Sequence, residues 1–255
     1  MFDLLKTLLS DKKGGTIFTC FGIWHLIYLF VIFGLIALIF FLTKNKNQNA
    51  KNKLINGCIT FAFFLYIADF FLMPFAYGGI DIEKLPFHVC TTTCVLCFLS
   101  RRNYFLDKFK YQFALLGFIS NLVYVIYPAG VGWHQVHPAS YRVIQTLLFH
   151  GIMTAYGFFT FAFEDAPLKW KTWYKELIVT SGMAIWALIG NLLYNGFNGD
   201  YSFRLNWFFV IRDPFYLLPL SISPYVMPFV VITLFFAVQM SFYAIYFTVK
   251  RKSIK

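Results

Sequence analysis

The sequence predicts an all-α protein whose helices cross a membrane several times. Hydrophobic residues make up 59% of the 255 residues, and the mean hydropathy is +0.65. Several apolar runs approach the roughly 20 residues that a helix needs to cross a bilayer. Because unpaired backbone groups are costly in hydrocarbon, such runs are expected to be helical. These features exclude a soluble globular domain.

Seven apolar segments predict seven transmembrane helices within one membrane domain that covers residues 1–255. The segments span about 16–42, 54–77, 85–99, 111–127, 143–163, 173–195 and 224–249. The third and fourth segments are short, which is typical of a tilted, irregular or protein-buried helix.

The basic residues predict how the helices are oriented. Of the 22 Lys and Arg residues, 15 fall in alternate loops or at the C-terminus, and the opposite side has only seven. Because cytoplasmic loops are enriched in Lys and Arg, we expect the N-terminus outside and the C-terminus in the cytoplasm of a multi-pass cell-membrane protein. The net charge of +11 then reflects topology and anionic head groups, so nucleic acid is not an expected partner.

Polar residues inside the apolar segments concentrate in the predicted outer third of the membrane. A rise of about 1.5 Å per residue places these side chains at a similar depth: His25, Asp69, Cys90, Asn121, His150 and Asn191. Polar groups within a bilayer usually face the bundle interior. The layer therefore predicts a site that opens toward the outer leaflet, and we expect the inner halves of the helices to be poorer in such groups.

The segment Leu85–Cys90 contains the most distinctive chemistry in the sequence. Pro86 suits the first turn of a helix, which would place Cys90 about one turn inside. A helix N-terminus and a nearby imidazole both favour the thiolate form of cysteine. His88 would point about 200° away from Cys90 in a regular helix, so it is the weaker base. We therefore predict that Cys90 and His150 form a nucleophile–base pair.

Further polar side chains are candidates for supporting this pair. The amides of Asn121, Gln145 and Asn191 are suited to orienting the imidazole or donating to an oxyanion. The loop at 196–223 is either an ordinary external loop or a cap that binds lipid phosphates. Its candidate residues are Asn206, Arg204 and Arg212.

Two other interpretations of the cysteines remain open. Cys94 and Cys97 share the predicted helical face of Cys90, so the three form either a packing stripe or, with a histidine, a zinc or copper site. The set lacks a known ligand spacing, and His134 and His137 have no second half of a metal site. We therefore predict neither a metal nor a cofactor.

The motif from Leu85 to Cys90 resembles the Leu-Pro-x-His-x-Cys motif of the YwaF-type and transmembrane protein 164 family. The stretch from Asp200 to Pro214 is similar to a late aromatic block of that family, although the Trp and Phe after Asn206 depart from its pattern. The eukaryotic member is regarded as a phospholipid acyltransferase that uses a cysteine and a histidine. The resemblance implies those roles for Cys90 and His150.

We therefore expect a membrane acyltransferase in which His150 deprotonates Cys90. The thiolate would take an acyl chain from a phospholipid and pass it to a lipid or lipid-anchored acceptor, or to water if the protein is a lipase. The alternative is a non-enzymatic transporter or receptor that binds a small solute or lipid in the outer polar layer. The apolar inner halves of the segments argue against transport.

Overall fold

The computed structural model describes residues 9, 11, 15–76, 78–79, 81–132, 134–165, 167–195 and 206–252. Within these residues seven helices form a bundle: α1 (Ile23–Thr43), α2 (Gln48–Ala76), α3 (Val89–Ser100), α4 (Lys110–Ile126), α5 (Tyr141–Phe163), α6 (Tyr174–Asn195) and α7 (Ser223–Lys252). Short helical turns lie between them, at Ile82–Lys84, Tyr104–Asp107, Ala129–Gly132, Trp170–Thr172 and Trp207–Phe209. The described residues contain no strand, which confirms the all-α prediction.

The helix bounds agree with the predicted segments except at the starts of α1, α2 and α3. α2 begins at Gln48, earlier than predicted, because the side chain of Asn47 accepts a hydrogen bond from the Ala50 N–H (2.9 Å) and so caps a polar first turn. α1 begins at Ile23, later than predicted. The backbone of Phe21 just before it is left-handed (φ 61°), which prevents an earlier helical start.

The third segment differs most from its prediction. α3 begins at Val89 rather than Leu85 and has 12 residues, so it is about 18 Å long. A hydrocarbon core of about 30 Å needs a longer helix. In the described part of the chain, six other helices are long and apolar enough to cross a membrane. The chain is thus a multi-pass helical membrane protein, and its described residues contain six such helices and one short apolar helix.

The short helix runs in the same direction as α5. The ammonium of Lys84 donates to Gln145 Oε1 (2.9 Å) near the start of α5. At the other end of α3, Arg101 donates to Glu164 Oε1 (2.5 Å), directly after α5. The chain from 84 to 101 therefore runs parallel to α5. These two contacts define what we call the Lys84 end and the Arg101 end of the bundle.

Contacts at the two ends also show that successive helices alternate in direction. At the Arg101 end, Gln48 at the start of α2 donates to the carbonyl of Phe163 at the end of α5 (3.1 Å). At the Lys84 end, His25 near the start of α1 contacts the carbonyl of Val125 near the end of α4 (3.0 Å). The most apolar stretch of α5 is 72% buried, against 6% for α1. α5 is therefore the central helix, and α1 lies at the periphery.

Candidate functional site

A run of three threonines determines how α3 begins. The hydroxyl of Thr92 donates to the carbonyl of Pro86 (2.7 Å), and that of Thr93 donates to the carbonyl of Val89 (2.6 Å). These bonds tie the turn before the helix to its first turn, with His88 as the extended N-cap residue. Cys90 is consequently the second residue of α3, nearer the positive end of the helix dipole than predicted.

The side chain of Phe87 fixes the same turn against α6. Its ring centroid lies 4.9 Å from those of both Trp186 and Trp207, and the indole N–H of Trp186 donates to the carbonyl of Pro86 (2.6 Å). A Cβ atom on Gly190 would overlap the Phe87 ring, so only glycine permits this close approach. The turn that precedes Cys90 is thus fixed by the threonines of α3 and by contacts with α6.

The Cys90 thiol is buried where α3 meets α4. Ser120 of α4 is a neighbour of this thiol. The Ser120 hydroxyl itself donates to the carbonyl of Gly117 (3.2 Å). Side chains of Thr93 on α3 and Met153 on α5 both lie against Gly117. The three helices therefore meet one turn away from Cys90.

His150 is held on α5 in a defined tautomer. Its Nδ1 atom lies 2.7 Å from the carbonyl oxygen of Thr146. A carbonyl oxygen only accepts hydrogen bonds, so Nδ1 carries the proton of the neutral ring and Nε2 carries the lone pair. The ring stacks on Tyr124 of α4, with centroids 3.9 Å apart and 14° between the planes. Such an imidazole can accept a proton at Nε2.

Cys90 and His150 thus approach neighbouring turns of one helix. Their α4 neighbours, Ser120 and Tyr124, are four residues apart on the same face, which corresponds to about 6 Å along the axis. Among the residues that the structure describes, no hydrogen bond joins the thiol to the imidazole. The predicted pair is therefore brought to the same region of the bundle without direct contact.

Asp69 and Gln145 both contact Lys84, which was not among the predicted site residues. Asp69 is fully buried, accepts from the Tyr141 hydroxyl (2.8 Å) and pairs with the Lys84 ammonium (3.1 Å). The same ammonium donates to Gln145. Sequence reasoning assigned Lys84 to a loop. A fully buried carboxylate usually requires a cationic partner. The predicted membrane position of Asp69 could therefore have pointed to a nearby lysine such as Lys84.

Asn191 and Asn206 stabilise the loop that precedes α7. Asn191 accepts from the main-chain N–H of Trp207 and donates to the Trp207 carbonyl (both 3.0 Å). The Asn206 side chain accepts from the N–H groups of Ile211 (3.2 Å) and Arg212 (3.1 Å). Both amides therefore shape the loop rather than face His150.

The remaining predicted residues separate into different roles. Arg212 lies over the ring of Tyr216 (4.4 Å), whereas Arg204 lies outside the described residues. His25 accepts from the N–H of Phe21 at Nδ1 (2.9 Å), so its Nε2 must donate to the carbonyl of α4. His25 is thus a structural link. Asn121 is fully buried on α4.

The Arg101 end contains more buried polar groups than the sequence led us to expect. Besides Glu164, Arg101 donates to the Tyr156 hydroxyl (3.3 Å). Glu176 is fully buried and accepts from the Tyr243 hydroxyl (2.9 Å). A cavity of about 400 Å³ opens beside Arg101 and is lined by Gln48, Asn52, Asn56, Arg101, Asp107, Lys110, Tyr111, Glu164 and Asp165. The Arg101 end of the bundle therefore also contains polar groups, among them the buried Glu176 of α6.

Candidate metal ligands do not come together in the described part of the chain. No group of three or more His, Cys, Asp or Glu side chains there has an arrangement that could hold a metal ion. Cys94 and Cys97 are fully buried in the hydrophobic core. His134 contacts Arg142 (3.3 Å), and His137 accepts from the Ala139 N–H (3.1 Å).

No curated protein and no solved structure matches the chain. The model of the TMEM164 family matches residues 20–246, a range that includes both the Leu85–Cys90 motif and His150. Because this range covers most of the 255 residues, the chain belongs to the TMEM164 family.

Proposed function

We propose that this protein is a membrane acyltransferase in which Cys90 is the nucleophile and His150 is the general base. The observation that carries the proposal is the tautomer of His150. Its Nδ1–H is bound to the Thr146 carbonyl, so the lone pair of Nε2 is available to take a proton. Tyr124 holds the ring on the same face of α4 that presents Ser120 to Cys90.

The reaction runs in two balanced halves. His150 takes the thiol proton, the Cys90 thiolate attacks the ester carbonyl of a phospholipid, and the C–O bond breaks as the imidazolium returns its proton to the leaving alkoxide. The products are a lysophospholipid and an acyl-thioester. An acceptor O–H or N–H group then attacks the thioester, and its proton passes through His150 to the departing thiolate as the C–S bond breaks, which restores the Cys90 thiol.

The gap between the two residues is compatible with this role. Hydrogen bonds between catalytic groups are often long without substrate and shorten only in the complex. Ser120 and Tyr124 are about one helical turn apart along α4. We expect bound substrate to bring the two groups within hydrogen-bonding distance.

We further propose seven crossings, with the Lys84 end facing outward in the cell membrane. The parallel course of residues 84–101 and α5 supports the additional crossing, and the basic loops at the Arg101 end support the orientation. Single cysteines at Ser221 and Lys171 test it, because both positions are exposed. An impermeant thiol reagent should label Ser221→Cys in intact cells and Lys171→Cys only after permeabilisation. The reverse pattern would invert the orientation.

Activity is tested with purified protein in vesicles that contain a phospholipid donor and an acceptor lipid. Mass spectrometry should detect a lysophospholipid together with an acylated acceptor. Cys90→Ala should abolish both, and His150→Ala should slow them by about 10²- to 10⁴-fold. Cys97→Ala is the matched control, because Cys97 is a buried thiol near the other end of the same helix. Free fatty acid as the only acyl product would identify a lipase instead.

A transporter or receptor remains a second candidate because buried polar groups occur at both ends of the bundle. The Lys84–Asp69 pair lies at one end and the Arg101–Glu164 pair at the other. Solute flux or ligand binding that is unchanged by Cys90→Ala, without any lysophospholipid, would favour this function over acyl transfer.

A further inference from the structure

Asn121 has a buried hydrogen-bond acceptor with no partner in the described part of the chain. Its side chain is fully buried, and its Nδ2 atom donates to the Gly117 carbonyl (2.7 Å). Its Oδ1 atom is buried and accepts no hydrogen bond. An unsatisfied buried acceptor is costly, so the atom is expected to find a donor when the site is occupied.

Asn191 provides an internal comparison. Both asparagines are fully buried, and each is followed by Leu and then, three residues on, by Tyr. Asn191 uses both its oxygen and its amide nitrogen on the main chain of Trp207. The unused oxygen of Asn121 is therefore not a general consequence of placing asparagine at this kind of position.

Helix geometry places Asn121 among the groups of the proposed reaction. Asn121 follows Gly117 by four residues and precedes Tyr124 by three, so the three share one face of α4. Ser120, the neighbour of Cys90, adjoins it in sequence. Since Tyr124 stacks on His150, Asn121 belongs to the stripe of α4 that His150 approaches.

We propose that Asn121 Oδ1 accepts a hydrogen bond from the acyl acceptor and selects acceptors that have a second donor beside the attacking atom. The inference rests on the proposed acyl transfer. A phospholipid donor offers no O–H or N–H at its ester carbonyl, so this oxygen has no role in thioester formation. The attacking group must give one hydrogen to His150. Only an acceptor with another hydrogen nearby, such as a primary amine or a 1,2-diol, also satisfies Asn121.

The proton balance fits this assignment. A neutral primary amine has two N–H bonds, one directed at His150 Nε2 and one at Asn121 Oδ1. After attack on the thioester, the first proton moves to the imidazole and then to the departing thiolate, while the second stays on the amide product. A 1,2-diol uses one hydroxyl for attack and the other for Asn121. Asn121 is thus a positioning residue for the second half-reaction.

The test compares matched acceptors with wild-type protein and Asn121→Leu. One pair is a long-chain primary amine and the corresponding alcohol; the other is a monoacylglycerol with a free 1,2-diol and its analogue with a single hydroxyl. Wild type should prefer the two-donor member of a pair by at least tenfold in kcat/KM. Asn121→Leu should still form the Cys90 thioester but lose that preference. A preference within the first pair identifies an amine acceptor, and a preference within the second pair identifies a diol acceptor.

The ratio within each pair does not depend on how much protein is folded, so a partly unfolded variant still gives a valid answer. Asn121→Ser, which restores an acceptor oxygen, should recover part of the preference. Asn191→Leu should lower the melting temperature and reduce both members of a pair equally. A wild-type thioester with no preference, or a preference that Asn121→Leu retains, would overturn this inference alone. Absence of the thioester in wild type would overturn the proposed function as well.

Discussion

The imidazole of His150 lies parallel to the ring of Tyr124, with 3.9 Å between centroids. The Tyr124 hydroxyl lies close to Gly130 in the helical turn after α4, because a Cβ atom added there would be only 2.9 Å from it. The base is therefore oriented by two contacts of different kinds, the stacked ring and the hydrogen bond to the Thr146 carbonyl.

Removal of the aromatic ring at Tyr124 should misplace the base. We expect Tyr124→Leu to slow lysophospholipid formation by about 10²-fold, since an error of about 1 Å in a reacting group has that effect. Tyr124→Phe keeps the stacking surface and should remain close to wild type. Equal rates for Tyr124→Leu and wild type would show that stacking does not position His150.

Gly190 and Gly182, two glycines of α6, should respond differently to alanine. A Cβ on Gly190 would overlap Phe87, whereas a Cβ on Gly182 would have no neighbour within 4 Å. We expect Gly190→Ala to destabilise the protein by about 1–3 kcal/mol and to lower activity through the motif. Gly182→Ala should be neutral or stabilising by up to about 1 kcal/mol. Melting temperatures in detergent measure both, and equal shifts would contradict the packing of Phe87 against α6.

The start of α3 shows why the local structure of the Leu85–Cys90 motif could not be predicted from the sequence. Pro86 is compatible with a helical first turn, and nothing in its spacing excludes one. The actual start at Val89 depends on hydroxyl bonds from the threonines that follow and on Phe87 packing against a helix about 100 residues away. Tertiary contacts of that kind leave no periodic signal in the chain.

Arg101 and Arg102 form a matched pair for the Arg101 end. Arg101 pairs with Glu164, and their side chains are 12% and 10% exposed. We expect Arg101→Ala to destabilise the protein by about 3 kcal/mol, because it leaves a largely buried carboxylate without its cation. Arg102 is exposed, stacks on Phe98 and bonds Thr60. Arg102→Ala should cost about 1 kcal/mol or less. Similar losses of thermal stability would contradict the difference in burial.

His134 should make the Lys84 end sensitive to acid. Burial, and then the neighbouring Arg142 guanidinium, lower the pKa of His134 below its ordinary value of 6.5, although Asp81 and Asp11 partly oppose this. The unfolded chain therefore binds a proton first as the pH falls. Stability should be fully present above pH 6.5 and decline below it, until the folded-state pKa is reached.

Substitution of His134 by asparagine isolates this effect. The melting temperature of His134→Asn should fall less between pH 7.5 and pH 5 than that of wild type. An identical fall in both proteins would show that another group is responsible.

The site could be predicted from sequence only in part, and the reasons are physical. Depth along the helices placed Cys90, Asn121 and His150 together because rise per residue is nearly constant. Depth alone does not distinguish an amide that satisfies a loop, such as Asn191, from one with an unused oxygen. It also gave no role to Lys84, whose importance follows from the buried carboxylate of Asp69.

The most direct test of acyl transfer is the mass of the protein itself. Purified wild-type protein, mixed with a phospholipid that bears a labelled acyl chain and quenched in acid, should carry one added acyl group on Cys90. Neutral hydroxylamine should remove the group, because thioesters are cleaved under conditions that leave oxygen esters largely intact. Cys94→Ala and Cys97→Ala should still be labelled, and His150→Ala should be labelled more slowly. Lipid turnover by Cys90→Ala at the wild-type rate, with no acyl group on the protein, would contradict the covalent mechanism.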